Sequence, residues 1–155
     1  MTVDWPIAEL DPVRRLNVLA AGIPGAVVTE TFLDTDPVRA WETLSDLEHT
    51  VPEIQPHVRQ FRIVGEEQGR MVADVRGHAG LRARMSIDMQ PFLCCMQSRY
   101  LVVGMAVAPD GRGTRFARMQ GLRFPRPFPA ALKPFAAYTI RTEAQRVATL
   151  AWETA

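Results

Sequence analysis

From Leu81 to Gln90 the chain alternates without interruption: Leu81, Ala83, Met85, Ile87 and Met89 take one parity, and Arg82, Arg84, Ser86, Asp88 and Gln90 take the other. Successive side chains of a strand point to opposite faces, so this stretch reads as a strand with one wet side and one apolar side. A lone strand cannot bury its own apolar side. The chain therefore needs a sheet and a second layer packed on it.

Its 155 residues suffice for one domain with a buried core, and 47% hydrophobic with 23% charged residues is the balance of a globular chain. The longest apolar stretch, Leu101 to Ala108, is far short of the roughly 18 residues a membrane span needs. Asp4 and Glu9 near the start, with no basic segment followed by an apolar core, predict no signal peptide and a cytoplasmic location. Cys94 and Cys95 are sequence neighbours, a poor disulfide framework that agrees with a reducing compartment. Charge is uneven: residues 1–54 hold three arginines against ten acids, and residues 112–155 hold eight basic residues against two acids. With no nucleic-acid module in sight, this asymmetry argues for pairing within the fold or between the subunits of a homodimer, and against nucleic acid as partner.

Asp11-Pro12 is an N-cap followed by proline at the first helical position, opening a short helix that stops near Gly22. Val27 to Leu33 reads as a strand. Thr35-Asp36-Pro37 repeats the helix signal, with Val38, Trp41, Leu44 and Leu47 at helical spacing, and Pro52 should end that region, leaving at most a short turn before His57. Periodicity then changes to two. Val58 to Val64 and Met71 to Arg76 pair around Gly65 to Gly69, the Leu81 strand follows, Cys95 to Val107 forms one long strand, and Gly113 to Arg123 the last. A proline-rich joint leads to a helix reaching about Trp152, with Pro134 starting or kinking it. Antiparallel strands with segregated helices define an α+β fold, and the long C-terminal helix should cover the apolar side of one curved sheet of about six to seven strands.

This order, with Asp36-Pro37 and Ala40-Trp41 entering the helix, Leu44-Ser45-Asp46 closing it and Gly113-Thr114 before the last strand, resembles the START-like (SRPBCC) superfamily, polyketide cyclase/dehydrase-like branch. The resemblance spans about residues 27–150 of a single domain of 1–155, with residues 1–24 an N-terminal helical extension. It implies a helix-grip fold, the sheet wrapped around the C-terminal helix with an apolar ligand cavity between them. The function implied is binding or carriage of a hydrophobic, lipid-like or polyketide-like molecule; the alternative is a cofactor-independent cyclase or dehydratase.

Consistent alternation turns Met71, Ala73 and Val75 inward, then Met85, Ile87 and Met89, then Met96, Ser98 and Tyr100. Methionine adapts to irregular shapes and suits a flexible apolar cavity, although a filled core using methionine to close gaps is the plainer reading. Ser98 and Tyr100 are candidate polar handles, and Phe116, which flanks Arg118 on the last strand, is a further candidate ligand contact. Glu143 falls within the helical stripe Phe135, Thr139, Val147 and Leu150, where a carboxylate has to be paired, hydrated or functional. It is the candidate general acid or base; in another helix phase it pairs with Arg146 at the surface. Arg118 faces the terminal helix in one register, where it would hold an anionic ligand head or pair with Glu143; in the other, the favoured one, it is solvated. Trp41 should pack under the sheet, and Cys94 and Cys95 should be inert. His49, His57 and His78 lack metal-ligand spacing, and the chain carries no Gly-rich phosphate loop, dinucleotide fingerprint or nucleophile elbow, so neither metal nor cofactor is expected.

Overall fold

The computed structural model describes residues 9–123 and 133–153, the side chains of the last helix over 139–150. Its elements are α1 (Pro12–Ala21), β1 (Val27–Leu33), α2 (Pro37–Ser45), α3 (Leu47–Ile54), β2 (Val58–Glu67), β3 (Arg70–Gly77), β4 (Arg82–Gln90), β5 (Leu93–Gln97), β6 (Leu101–Asp110), β7 (Gly113–Leu122) and α4 (Lys133–Glu153). Both Asp-Pro signals work as the sequence predicts. The Asp11 carboxylate accepts the Arg14 amide at 2.9 Å, and Asp36 accepts those of Val38 and Arg39 at 2.9 and 3.3 Å. Each cap satisfies amides that the first turn leaves without a partner.

The seven strands form one antiparallel sheet in the order β1-β7-β6-β5-β4-β3-β2, so β1 and β2 are the two edges and α2–α3 carry the chain from one to the other. With α4 gripped by the curved sheet, the architecture is the expected helix-grip. Three boundaries differ from the expectation. Pro52 lies inside α3, because burying Leu47, Val51 and Ile54 outweighs the one hydrogen bond the ring removes. The β2–β3 turn is only Gln68-Gly69, both with positive φ, and Gly65 sits at a register shift within β2. The expected long strand is two strands: Ser98 Oγ accepts the amides of Tyr100 and Leu101 at 3.4 and 3.2 Å, turning the chain between β5 and β6.

The sheet is apolar on both sides of its β6–β7 half. Its inner face packs against α2, α3 and α4, and its outer face against α1. Strand β6 divides an apolar run by size: Val103, Met105 and Val107 face inward, while Gly104, Ala106 and Ala108 face α1. The small side lets the helix approach, since a Cβ on Gly104 would fall 2.5 Å from Leu16 Cδ1. Within the N-terminal helical extension, α1 roofs the outer face with Val13 and Leu16, both at most 1% exposed. Arg115 on β7 fastens that roof, lying 3.2 Å from Asp11 Oδ2 and 3.7 Å from Glu30 Oε2. The acidic N-terminal and basic C-terminal thirds thus meet within one chain. Among the described residues no helix is long and apolar enough to cross a membrane.

Candidate functional site

α4 lays Ile140, Glu143, Ala144 and Val147 on the sheet, three or four residues apart as one helical face requires. Beneath it β7 turns Thr114, Phe116 and Arg118 inward. Arg118 stands opposite Thr29 of β1 on one side and Met105 of β6 on the other, the centre of the inner face. Its Nε donates to Glu143 Oε2 at 2.9 Å, and the two side chains are only 4% and 5% exposed. The register is therefore the one in which Arg118 is buried, which corrects the favoured reading of a solvated arginine. Glu143 likewise pairs with Arg118 across the interior rather than with Arg146. Neither charge could stay in this apolar layer alone, because desolvating a lone ion costs several kcal/mol.

The inner face, from β6 beside the pair across to β3, is soft. Five of the seven methionines, Met71, Met85, Met89, Met96 and Met105, belong to this cluster. Met85, Ile87, Met96 and Phe116 are buried; Met71 and Met89 are half-buried at its margin, as are Phe92 and Leu101. Trp41 packs under the sheet as expected, its ring centroid 6.1 Å from that of Phe92. Thr114 donates its hydroxyl to the Thr35 carbonyl at 2.7 Å and closes one end. Between α2, β1 and α4 a hollow of about 10 Å³ lined by Leu33, Ala40, Leu44, Val147 and Leu150 has room for a single water at most.

Two candidate handles are displaced from this interior. Ser98 uses its hydroxyl in the β5–β6 turn, and Tyr100, on the same turn, is 49% exposed with the Arg99 guanidinium carbon 5.3 Å from its ring centre. Alternation carried past Gln97 placed both inward; the turn breaks the alternation. Leu81 is also outside, 57% exposed before β4 begins. Thr139 is half-buried on α4, and the Phe135 side chain lies outside the described residues. Met105 and Phe61 were missed, although the large/small alternation of β6 marks Met105 as inward.

Burial pushes the Cys94 thiol, on the inner face, up to about 12, and also raises Cys95 on the outer face; both are poor nucleophiles at neutral pH. Among the described residues no three His, Cys, Asp or Glu side chains are grouped to hold a metal.

No family model matches the chain, and no curated protein matches its sequence. Solved structures do match in fold. The Zhui aromatase/cyclase of a Streptomyces species superposes with a TM-score of 0.63 at 16% identity, over 81% of this chain and 92% of that one. A START superfamily protein from Mycobacterium smegmatis gives 0.65 at 14% identity, over 84% and 99%. The di-domain ARO/CYC StfQ of the steffimycin biosynthetic pathway gives 0.65 at 10% identity, over 89% of this chain and 54% of that one. The chain has the START-like, polyketide cyclase-like fold.

Proposed function

We propose that this chain binds a hydrophobic small molecule, lipid-like or polyketide-like, between the inner face of the sheet and α4, with the Arg118–Glu143 pair as its polar anchor. The observation that carries the reading is the composition of the inner face, which holds five methionines and one buried ion pair. Unbranched thioether side chains repack at small cost, so a ligand can displace them where a face of valine and isoleucine would resist. Met71, Met89 and Leu101 at the half-buried margin are the side chains that move first. A ligand carboxylate or carbonyl then competes with Glu143 for the guanidinium. Long-chain fatty acids and aromatic polyketides, titrated against an environment-sensitive dye and followed by native mass spectrometry, should bind one per chain with micromolar affinity. Absence of any bound apolar compound defeats the reading.

A second reading, an enzyme of the cyclase or dehydratase type, rests on Glu143 being the one buried carboxylate among the described residues and on the fold shared with two aromatase/cyclase structures. Bonded to a guanidinium, Glu143 would serve as a proton acceptor, with Arg118 holding the developing oxyanion. Glu143→Gln should then abolish turnover of a bound polyketide and leave its binding within a few-fold. Equal turnover in the variant removes this reading and leaves the first standing.

A further inference from the structure

On the outer face, away from α1, β2, β3 and β4 carry a ladder of arginines. In its middle the charges alternate: Asp74 stands between Arg62 and Arg84, and Arg84 reaches Glu67 at 2.5 Å. One pair further along the pattern fails. Arg76 is directly opposite Arg82, with Gln60 on its other side, and a register shift between Val58 and Gln60 brings Arg59 into the same group. Like charges facing each other across a strand pair are destabilising on their own. None of the three arginines has an ion pair among the described residues.

The three do not splay over a flat surface. Together with Gln60, Gly77, Gly80 and Leu81 they line a hollow of about 360 Å³ that contains no acidic side chain. Its end wall is held in shape: Gly77 donates to the Leu81 carbonyl at 2.8 Å and His78 to the His57 carbonyl at 3.2 Å, tying the β3–β4 connection to the α3–β2 loop. Gly77 permits that closeness, because a Cβ there would lie 2.7 Å from the His57 oxygen.

We propose that Arg59, Arg76 and Arg82 form a binding site for a multiply charged phosphate group, on the side of the sheet opposite the Arg118–Glu143 pair. Guanidinium forks match phosphate oxygens two at a time, and three of them around one hollow offset two or more negative charges. The anion removes the repulsion between Arg76 and Arg82 as it binds. Neither the Arg118–Glu143 pair nor an apolar ligand is needed, so the site stands or falls apart from the function proposed above.

Inorganic pyrophosphate titrated into the whole protein by calorimetry at low salt is the direct probe. Saturable 1:1 binding is expected, weakened by about tenfold in Arg76→Gln and again in Arg82→Gln, the loss of one charge-assisted contact each. Rising salt should weaken it further. Arg62→Gln, in the compensated part of the ladder, should bind as the unaltered protein does. A second arm uses phosphatidylcholine vesicles with and without phosphatidic acid: binding that requires phosphatidic acid and is lost in Arg82→Gln assigns the phosphate to a lipid headgroup, while pyrophosphate binding alone assigns it to a soluble ligand. All three arginines are exposed, so the variants should fold normally, as circular dichroism will verify. Absence of binding in both arms overturns the proposal, and so does binding that the Arg76 and Arg82 variants leave unchanged.

Discussion

Replacing Glu143 with leucine leaves Arg118 with its charge and without the acceptor 2.9 Å away, in a position where it is only 4% exposed. Breaking a buried pair from one side costs about 3–5 kcal/mol, since the remaining ion keeps its desolvation penalty and loses its compensation. A domain of this size has roughly 5–15 kcal/mol in all, so the variant loses a large share and its Tm should fall by roughly 6–20 °C. Removing both charges is a different matter. Arg118→Met with Glu143→Leu puts apolar volume into an apolar layer and should return stability to within about 1 kcal/mol of the unaltered protein, or above it. Urea denaturation followed by circular dichroism on the four members of this cycle measures the coupling directly. If Glu143→Leu alone costs less than about 1 kcal/mol, or if the double variant is as unstable as the two single losses together, the pair is not a desolvated, mutually compensating unit.

Other outcomes follow from the same geometry. Leu16→Ala empties a fully buried position between α1 and β6 and should cost about 2–5 kcal/mol, with α1 becoming susceptible to limited proteolysis ahead of the sheet. Gly104→Val forces the same interface apart from the sheet side and should cost about 1–3 kcal/mol by denaturation; a neutral result would show that α1 is not seated on β6. Cys94, its thiol pushed up to about 12 by burial, should resist iodoacetamide at pH 8 in the folded protein and react fully in urea, as mass spectrometry of the labelled peptides will show. The Asp46 carboxylate, hydrogen-bonded to His49 Nδ1 at 2.9 Å, raises the imidazole above its ordinary 6.5. The stabilisation from that pair is present in full below pH 6.5 and fades as pH rises through the raised value. An NMR titration should find this shift and lose it in Asp46→Asn.

Much of the architecture was legible in short stretches. Asp11-Pro12 and Asp36-Pro37 start helices where they should, because a cap and a first-turn proline act within four residues. The alternation of Met85, Ile87 and Met89 put the right side chains on the inner face, because a strand's two-residue period is a property of its own backbone. Failures came where a neighbour decides. The two-residue period points Tyr100 inward, and the Ser98 turn that interrupts it puts the ring outside. Pro52 reads locally as a stop, and only the buried face of α3 explains why the helix continues.

The sequence by itself determined that this chain builds an antiparallel sheet with one methionine-rich face, two capped helices on the way and a long helix at the end, since each of these depends on spacing within one segment. Only the tertiary structure decided which of two faces Arg118 presents, that Glu143 meets it across the interior, and that the N-terminal helix covers the opposite side of the sheet. It also put Arg59, Arg76 and Arg82 around one hollow. Those outcomes depend on register between strands distant in sequence, and a shift of one residue would have reversed every one of them.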